Sequence, residues 1–420
     1  MRVRTLSAVG ALACIIAHGG AAQQQPPGQQ QPITRAAAIA SALAHGPRLA
    51  IARADSTAAR AQLSLASQYE NPVLGLSYSK DAPQHHVGLD IPLDMPWNRN
   101  ARIDLARAGL GLAGLRFAFE RGAVAYDADT TYTRALAAAA RSRLSSATSG
   151  DADSLLVLAR LRRDAGDASE LDVQLALVSA GQLANAAITD SVDAVTAVLA
   201  VQSVMGLDAE RPTVVLADTL DATPAAGAAP AGTSLMIAAA EENVRAANLG
   251  IALERHRRFA NPSLTVGFDT HDPGGQGNAI LPTIGIALPL PLLNQNRASV
   301  QIAEAERDRA SAELALARIE VNAAIAEARR AFTVAQARAA RSRQLVDGAN
   351  RVATLSLLAY REGAAALPSV LEAQRTAREA LVQYIEDLTA ARNAASRSQM
   401  LERTAGGTAR GASPANRNNP

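Results

Sequence analysis

The chain repeats itself. Residues 69–78 read YENPVLGLSY, and residues 259–268, 190 positions later, read FANPSLTVGF. Residues 88–93 (GLDIPL) return as residues 285–290 (GIALPL), at an offset of 197. A repeat of this length means that one structural unit is built twice, so the fold must bring two similar halves together.

Long helices follow from the distribution of proline. Residues 97–211 and 292–367 contain no proline and are rich in Ala, Leu, Arg and Glu, which are strong helix formers. A seven-residue step of apolar positions is typical of coiled coils. The second stretch keeps that step at Leu314, Val321, Ala328 and Ala335. Only 3% of the residues are aromatic, so alanine fills the predicted interfaces and lets the helices approach closely.

Each half is predicted to hold a short helix, a long helix and a return helix. They span residues 33–68, 99–164 and 169–205 in the first half, and 234–258, 296–362 and 368–403 in the second. In both halves the two shorter helices together are about as long as the long one, so they can stack end to end beside it. At ~1.5 Å per residue a long helix measures on the order of 100 Å, more than a globular domain needs.

A strand hairpin is predicted between the short and the long helix of each half, at residues 72–93 and 262–290. Apolar residues alternate there with small or polar ones, which is the pattern of strands with two unlike faces. In the first hairpin Leu74, Leu76 and Tyr78 alternate with Gly75, Ser77 and Ser79. Strands of about 9–11 residues can cross a bilayer. No run of 18 apolar residues follows residue 22, so we expect strands, and no helix, to make any crossing.

The two hairpins cannot form a closed wall alone. Four strands are too few for a barrel, and an open sheet edge in lipid leaves backbone N–H and C=O groups unpaired at a cost of several kcal/mol each. Other copies of the chain must therefore close the sheet. Two copies would give eight strands, whose interior is filled by side chains, whereas three would give twelve and room for a lumen.

Three segments lie outside the two repeats, which we assign to residues 33–205 and 233–403. Residues 1–22 read as an export signal peptide, with a basic start, an apolar run and a small-residue cleavage site. Residues 206–232 form a linker rich in Ala, Pro and Gly between the halves. Residues 404–420 have the composition of a disordered tail.

Composition and motifs weigh against several functional classes. The net charge of +2, with acids and bases interleaved, predicts no nucleic-acid partner. Cys14, the only cysteine, lies in the signal region, where lipidation is an alternative to simple cleavage. The glycine pattern of residues 109–114 lies inside a helical stretch, and the neighbours His85 and His86 point to opposite faces of a strand. Since no nucleophile elbow, phosphate loop or cysteine pair is present, we predict no enzyme, no cofactor and no metal site.

The chain resembles the TolC-type outer-membrane efflux family over nearly the whole length after the signal segment. The resemblance lies in the Asn-Pro pair before each hairpin, the apolar-Pro-Leu step before each long helix and the glycine turn after it, each present twice. Residues 98–103 and 289–296 are most similar to the CzcC-like heavy-metal efflux branch. The resemblance implies a mainly α chain that forms, as a homotrimer, an α-barrel of coiled coils and a shared 12-stranded β-barrel.

The resemblance also implies a function, the exit duct of a tripartite RND-type efflux system that exports metal cations or small toxic compounds. The barrel would lie in the bacterial outer membrane and the helical part in the periplasm, with residues 206–232 in an equatorial collar. Its partners would be outer-membrane lipid, a periplasmic adaptor (membrane fusion) protein and an inner-membrane transporter. Two alternatives stay open: a type I protein-secretion duct of the same fold, and a periplasmic coiled-coil adaptor or scaffold.

Site residues follow from the same resemblance, since the family's periplasmic aperture is lined by the turns that end each long helix. The gate carries over onto Asp172, Glu372 and Tyr360. An adaptor-contacting tip carries over onto Arg163, Asp164, Gly166, Arg361 and Gly363. Equivalent carboxylates around one axis repel each other and attract cations. The alternative is that these are ordinary solvated turn residues and that both glycines simply end a helix.

Overall fold

The computed structural model describes residues 31–80, 84–220, 233–270 and 280–403, and it is mainly helical, as predicted. The predicted signal peptide with Cys14, the predicted tail and parts of the linker and of both hairpin loops lie outside the described residues. The helices are α1 Arg35–His45, α2 Pro47–Ser67, α3 Pro96–Asp164, α4 Glu170–Val204, α5 Leu235–His256, α6 Arg297–Arg361 and α7 Leu367–Leu401. The strands are β1 Gln31–Ile33, β2 Val73–Tyr78, β3 His85–Pro92, β4 Val214–Leu216, β5 Ser263–Thr270 and β6 Leu281–Ala287.

The first short helix is broken in two, which the sequence prediction missed. α1 ends at Gly46, whose ψ of 129° is not helical, and α2 starts at Pro47. Proline lacks an N–H and disfavours a helical conformation in the residue before it, so a new helix begins there. A Cβ atom on Gly46 would lie 2.3 Å from the carbonyl oxygen of Ala42, so the close turn also requires glycine.

Each long helix packs against the return helix of its own half, α3 with α4 and α6 with α7. The halves are joined because α5 contacts both α3 and α6, and α7 contacts α3. Small side chains fill these contacts, as the alanine content predicted. Ala159 and Ala176 are 0% and 1% exposed. Three of the positions with a seven-residue step in α6, Val321, Ala328 and Ala335, are buried.

The hairpin strands form one antiparallel sheet in the order β2-β3-β5-β6. Leu89 of β3 lies opposite Leu74 of β2 and Val266 of β5, so the alternation gathers apolar residues on one face. That face is open, with Leu76 and Ile284 being 71% and 76% exposed. Among the described residues, β2 and β6 are edges without a further strand. The strands have six to eight residues, shorter than the range expected for a bilayer span.

A small second sheet lies at the other end of the short helices. β1 pairs in parallel with β4, and Pro32 lies opposite Val215. The sequence did not predict β1, because three residues that include a proline carry too little pattern for a strand. The Gln202 side chain, which is fully buried, donates to the carbonyls of Asp208 and Arg211 and so fixes the loop before β4.

α4 qualifies the expectation that only strands could cross a bilayer. Its most apolar window has a mean hydropathy of 1.3, enough by length and composition for a membrane span, yet only 6% of that window is buried within the chain. An apolar helix with so little cover needs lipid or another protein chain against it.

Candidate functional site

Two identical turns end the long helices at the tip of the coiled coils. After α3, the N–H groups of Gly166 and Asp167 donate to the carbonyls of Arg163 and Arg162, at 2.9 and 2.8 Å. After α6, Gly363 and Ala364 make the same two hydrogen bonds, at 3.0 and 2.8 Å. Both glycines have positive φ, 84° and 75°. This pair of bonds closes a helix through a left-handed residue, so chain reversal accounts for both glycines.

Behind the turns, both halves share one apolar cluster. It contains Tyr360, which is 3% exposed, and residues of α3, α4 and α7. Its other buried members are Ala152, Leu155, Leu156, Ala159, Val173, Ala176, Ala180, Leu367 and Val370. The tip is therefore one packed unit in which the two coiled coils are fastened together.

Arg162 connects the two halves directly at this tip. Its guanidinium donates to the carbonyl oxygen of Tyr360 at 2.5 Å and lies over the ring, 4.7 Å from the centroid. A cation over an aromatic face is attracted by about 0.5–2 kcal/mol, depending on desolvation. The sequence prediction missed Arg162. Its counterpart at the 197-residue offset is Ala359, so this position carries a charge in only one half of the repeat.

Tyr360 acts through its ring and backbone. Its hydroxyl is buried and has no hydrogen-bond partner among the described residues. Burial raises the pKa of Tyr360. The Arg162 guanidinium opposes this effect and the negative charge of Asp172 adds to it, with a net rise that keeps the ring neutral. Asp172 therefore acts on Tyr360 through its charge.

Asp172 has a local structural task. Its carboxylate accepts from the backbone N–H of Ser169 at 3.0 Å, and its own N–H donates to the Ser169 hydroxyl at 3.2 Å. This reciprocal pair is a capping box that starts α4. The half-exposed carboxylate is therefore held in place, and Asp172 serves the helix start whether or not it also faces a pore.

Glu372 is not a free carboxylate in the single chain. Arg375, one turn further along α7, donates to both of its oxygens, at 3.1 and 2.8 Å. That pairing holds the pKa of Glu372 below its usual range. Burial of Val173 and Val370 aligns the return helices at an offset of 197, which makes Leu175 the counterpart of Glu372. The two predicted acids thus occupy different positions of the repeat. Glu372 residues arranged around a pore axis would each be paired with the positive charge of Arg375.

The residues predicted to contact an adaptor are at the exposed tip. Arg163 pairs with its neighbour Asp164 at 2.7 Å and, across the turn, with Glu170 at the start of α4 at 3.1 Å. These exposed pairs raise the pKa of Arg163. Arg361 and the two turn glycines are exposed. Above the tip, a groove of about 850 Å³ runs between the two coiled coils. Its lining includes Asp151, Leu175, Gln182, Asn350, Leu371 and Arg375.

The two neighbouring histidines of the sheet, His85 and His86, have different contacts. His86 Nδ1 lies 2.8 Å from Asp269 Oδ1 on the polar face, whereas His85 lies beside the Tyr78 ring, with centroids 5.2 Å apart. The two histidines therefore face opposite sides, as the strand pattern predicted. Within the described part of the chain, no group of three or more His, Cys, Asp or Glu residues could hold a metal ion.

The geometry describes a class of protein, an internally duplicated α-helical hairpin protein with a small sheet that cannot close alone. Residues 232–407, which contain the second repeat, match the family model for outer membrane efflux protein. The predicted resemblance to the TolC-type outer-membrane efflux family is confirmed by this match over the second half of the chain. No curated protein matches the sequence significantly.

Solved structures extend the likeness to the first repeat. A membrane protein from Pseudomonas aeruginosa is 22% identical, with a TM-score of 0.71 over 88% of this chain and 93% of its own. The outer membrane protein VceC of Vibrio cholerae is 16% identical, with a TM-score of 0.70 over 88% and 96%. CusC, which forms a transmembrane channel, is 16% identical, with a TM-score of 0.73 over 90% and 95%. At these identities the comparisons establish the fold.

Proposed function

We propose that the chain is the exit duct of a tripartite efflux system, a homotrimer whose sheets close a 12-stranded β-barrel in the outer membrane. The observation that carries the proposal is the sheet with two unpaired edges and an exposed apolar face, mounted on helices of 69 and 65 residues. In lipid, such edges must pair with other strands. Helices of that length reach on the order of 100 Å, the scale of a bridge across a cell envelope.

The same arrangement gives a role to α4 and to the tip of the coiled coils. The apolar, poorly buried α4 would be covered by a neighbouring copy in the helical barrel, which would lie in the periplasm. A periplasmic adaptor and an inner-membrane transporter would join at the tip, at Arg163, Asp164, Gly166, Arg361 and Gly363. The exported solutes would be metal cations or small toxic compounds. The similarity of residues 98–103 and 289–296 to the CzcC-like heavy-metal efflux branch favours metal cations. Energy would come from the transporter.

The function is tested with the purified chain and with a deletion strain. In detergent we expect a trimer by multi-angle light scattering, and in planar bilayers we expect discrete channel conductance. Deleting the gene should lower resistance to metal cations or to small toxic compounds, and a plasmid copy should restore it. A water-soluble monomer without channel activity would contradict the proposal. Loss of secretion of a protein substrate with unchanged resistance would favour the protein-secretion alternative.

The gate would lie at the tip and would consist of Asp172, Glu372 and Tyr360, with Arg162 linking the two coiled coils through Tyr360. We expect Arg162→Ala to raise single-channel conductance several-fold, because the coiled coils lose the hydrogen bond and the ring contact that fasten them. Tyr360→Phe is the matched control. It should conduct like the wild type, because the hydroxyl has no hydrogen-bond partner in the described structure.

The two variants together decide the assignment. A Tyr360→Phe channel that conducts as strongly as Arg162→Ala would mean that the hydroxyl holds the gate, contrary to the contacts. An Arg162→Ala channel with unchanged conductance would remove the tip from the gating mechanism. In both cases circular dichroism should confirm that the helix content is intact.

A further inference from the structure

The two hairpins obey one rule of register, which the sequence offsets reproduce. In the first hairpin Val73 lies opposite Asp90. Shifting β2 by 190 positions and β3 by 197 predicts that Ser263 lies opposite Ala287 in the second hairpin. The structure has that pair. The offsets read from the sequence therefore convert contacts of one half into contacts of the other.

The seam between the hairpins has no second instance within the described part of the chain. β3 pairs with β5 across it, with Asp90 opposite Thr265 and Pro92 opposite Ser263. Its counterpart would join β6 to β2, which are the two outer edges of the same sheet. A strand cannot reach the far edge of its own four-stranded sheet, so the counterpart requires β2 of another copy.

We propose that this missing seam forms between copies of the chain, in the register of the β3/β5 seam. This rests on the proposed trimer and goes beyond it by fixing which residues meet. Applying the offsets to Asp90 and Thr265 places Ala287 opposite Gly75 of the partner subunit. Likewise Ile286 lies opposite the partner's Leu76, and Leu288 opposite the partner's Leu74. Apolar residues meet apolar ones on one face, as they do across the β3/β5 seam.

The ends of the seam point to the same partner. In the chain, the Leu93 N–H donates to the Pro262 carbonyl at 2.8 Å, and Asn261 Oδ1 accepts from Asn98 Nδ2 at 2.9 Å. Asn261 thereby attaches the start of the second hairpin to the first turn of α3. Its counterpart, Asn71, is exposed and makes no hydrogen bond within the described structure.

The segment between β6 and α6, which the partner subunit would contact, is also exposed to solvent. Residues 288–293 lead from β6 toward α6, and Leu290, Leu292 and Leu293 are 65%, 77% and 101% exposed. Leu93, the counterpart of Leu290, is partly covered. Applying the offsets to these two contacts, we assign the Leu290 N–H as donor to the carbonyl oxygen of Pro72 of the partner subunit, with the partner's Asn71 beside Gln295.

Paired cysteines test the register. Residues directly opposite each other on antiparallel strands have Cα atoms about 4.5–5.5 Å apart, within disulfide range. Gly75→Cys with Ala287→Cys should give covalent dimers and trimers on non-reducing gels after mild oxidation. Gly75 has room for a Cβ atom, whose nearest neighbour would be 3.7 Å away. Asp90→Cys with Thr265→Cys is the matched pair across the internal seam, and it should cross-link without change of mass.

A slipped register has its own control. Gly75→Cys with Gly285→Cys lies on the same face but two residues away, and it should cross-link poorly. Each single variant controls for Cys14. If light scattering shows a trimer while the Gly75/Ala287 pair stays monomeric on gels, the register is wrong and the proposed function stands. If light scattering shows a monomer, both proposals fall.

The role of Asn71 has a separate readout. Asn71→Ala should lower the temperature at which the detergent-solubilised trimer releases monomers by several degrees, with the helix content unchanged. Asn261→Ala, at the internal seam, should lower the unfolding temperature of the chain itself. An unchanged dissociation temperature for Asn71→Ala would overturn the part assigned to that side chain.

Discussion

The two coiled coils carry the same three polar residues and use them differently. In α6 and α7, Asp387 is 5% exposed, accepts from the buried Ser342 hydroxyl and from Gln383 Nε2 at 3.1 Å, and lies 3.6 Å from Arg338. The counterparts in α3 and α4, at an offset of 197, are Asp190, Ser145 and Arg141. Here the Ser145 hydroxyl donates to the backbone of Arg141, and Asp190 is half-exposed and, among the described residues, without a hydrogen bond or ion pair.

Asp387 and Asp190 differ because of their surroundings, since the residue itself is the same in both coiled coils. α7 is enclosed because it packs on α6 and also on α3, whereas α4 packs mainly on α3 and leaves its apolar side open. A carboxylate between packed helices must be hydrogen-bonded, and the same carboxylate beside a groove need not be. The first coiled coil is incomplete as a single chain, in keeping with a neighbouring copy against α4.

Removing the buried aspartate should have the largest effect on stability. We expect Asp387→Ala to lower the free energy of unfolding by about 2 kcal/mol, because the Ser342 hydroxyl loses its charged acceptor inside the interface. Asp190→Ala should change it by less than about 0.5 kcal/mol, as for a typical surface substitution. Denaturant unfolding in detergent, followed by far-ultraviolet circular dichroism, measures both.

Asp387→Asn sharpens this comparison, because it keeps an acceptor for the hydroxyl and removes only the charge. Its stability should lie between those of the wild type and Asp387→Ala. Equal losses for Asp190→Ala and Asp387→Ala would contradict the asymmetry and would mean that the neighbouring copy buries Asp190 as deeply as α6 buries Asp387.

Much of the fold could be predicted because its signals are long and occur twice. Proline-free stretches located α3 and α6, and alternation located both hairpins, because both patterns extend over many residues. The break at Gly46 was missed because a single Gly-Pro step is weak against a helical pattern on both sides. β1 was missed because a three-residue strand has almost no pattern of its own.

The tip was harder to predict because its contacts join residues distant in sequence. The repeated glycines indicated the turns correctly, since each turn depends on a few adjacent residues. The contact between Arg162 and Tyr360 joins residues 198 positions apart and depends on how the two coiled coils pack. The ion pair between Glu372 and Arg375 follows from their three-residue spacing on a helix. The prediction of a gate acid at Glu372 did not include this neighbouring charge.

The two return helices also begin differently, and this gives the smaller prediction. Ser169 and Asp172 form a capping box at the start of α4. At the start of α7 the counterpart of Asp172 is Ser369, whose hydroxyl donates to the Ala366 carbonyl at 2.7 Å, and no side chain caps the helix. α7 instead has a proline in its first turn, which is preorganised for a helix start.

Asp172→Ala should therefore lower the free energy of unfolding by about 1 kcal/mol, the usual cost of losing a helix cap. Ser369→Ala, at the matched position, should change it very little, because its hydroxyl satisfies no free N–H of α7. Asp172→Asn separates the cap from the charge, since the amide oxygen can still accept from Ser169. If Asp172→Asn retains stability but alters cation block of the channel as strongly as Asp172→Ala, the carboxylate acts on the pore as well as on the helix. If conductance follows only the loss of stability, the residue is a cap, and the difference between the two tips is purely one of helix initiation.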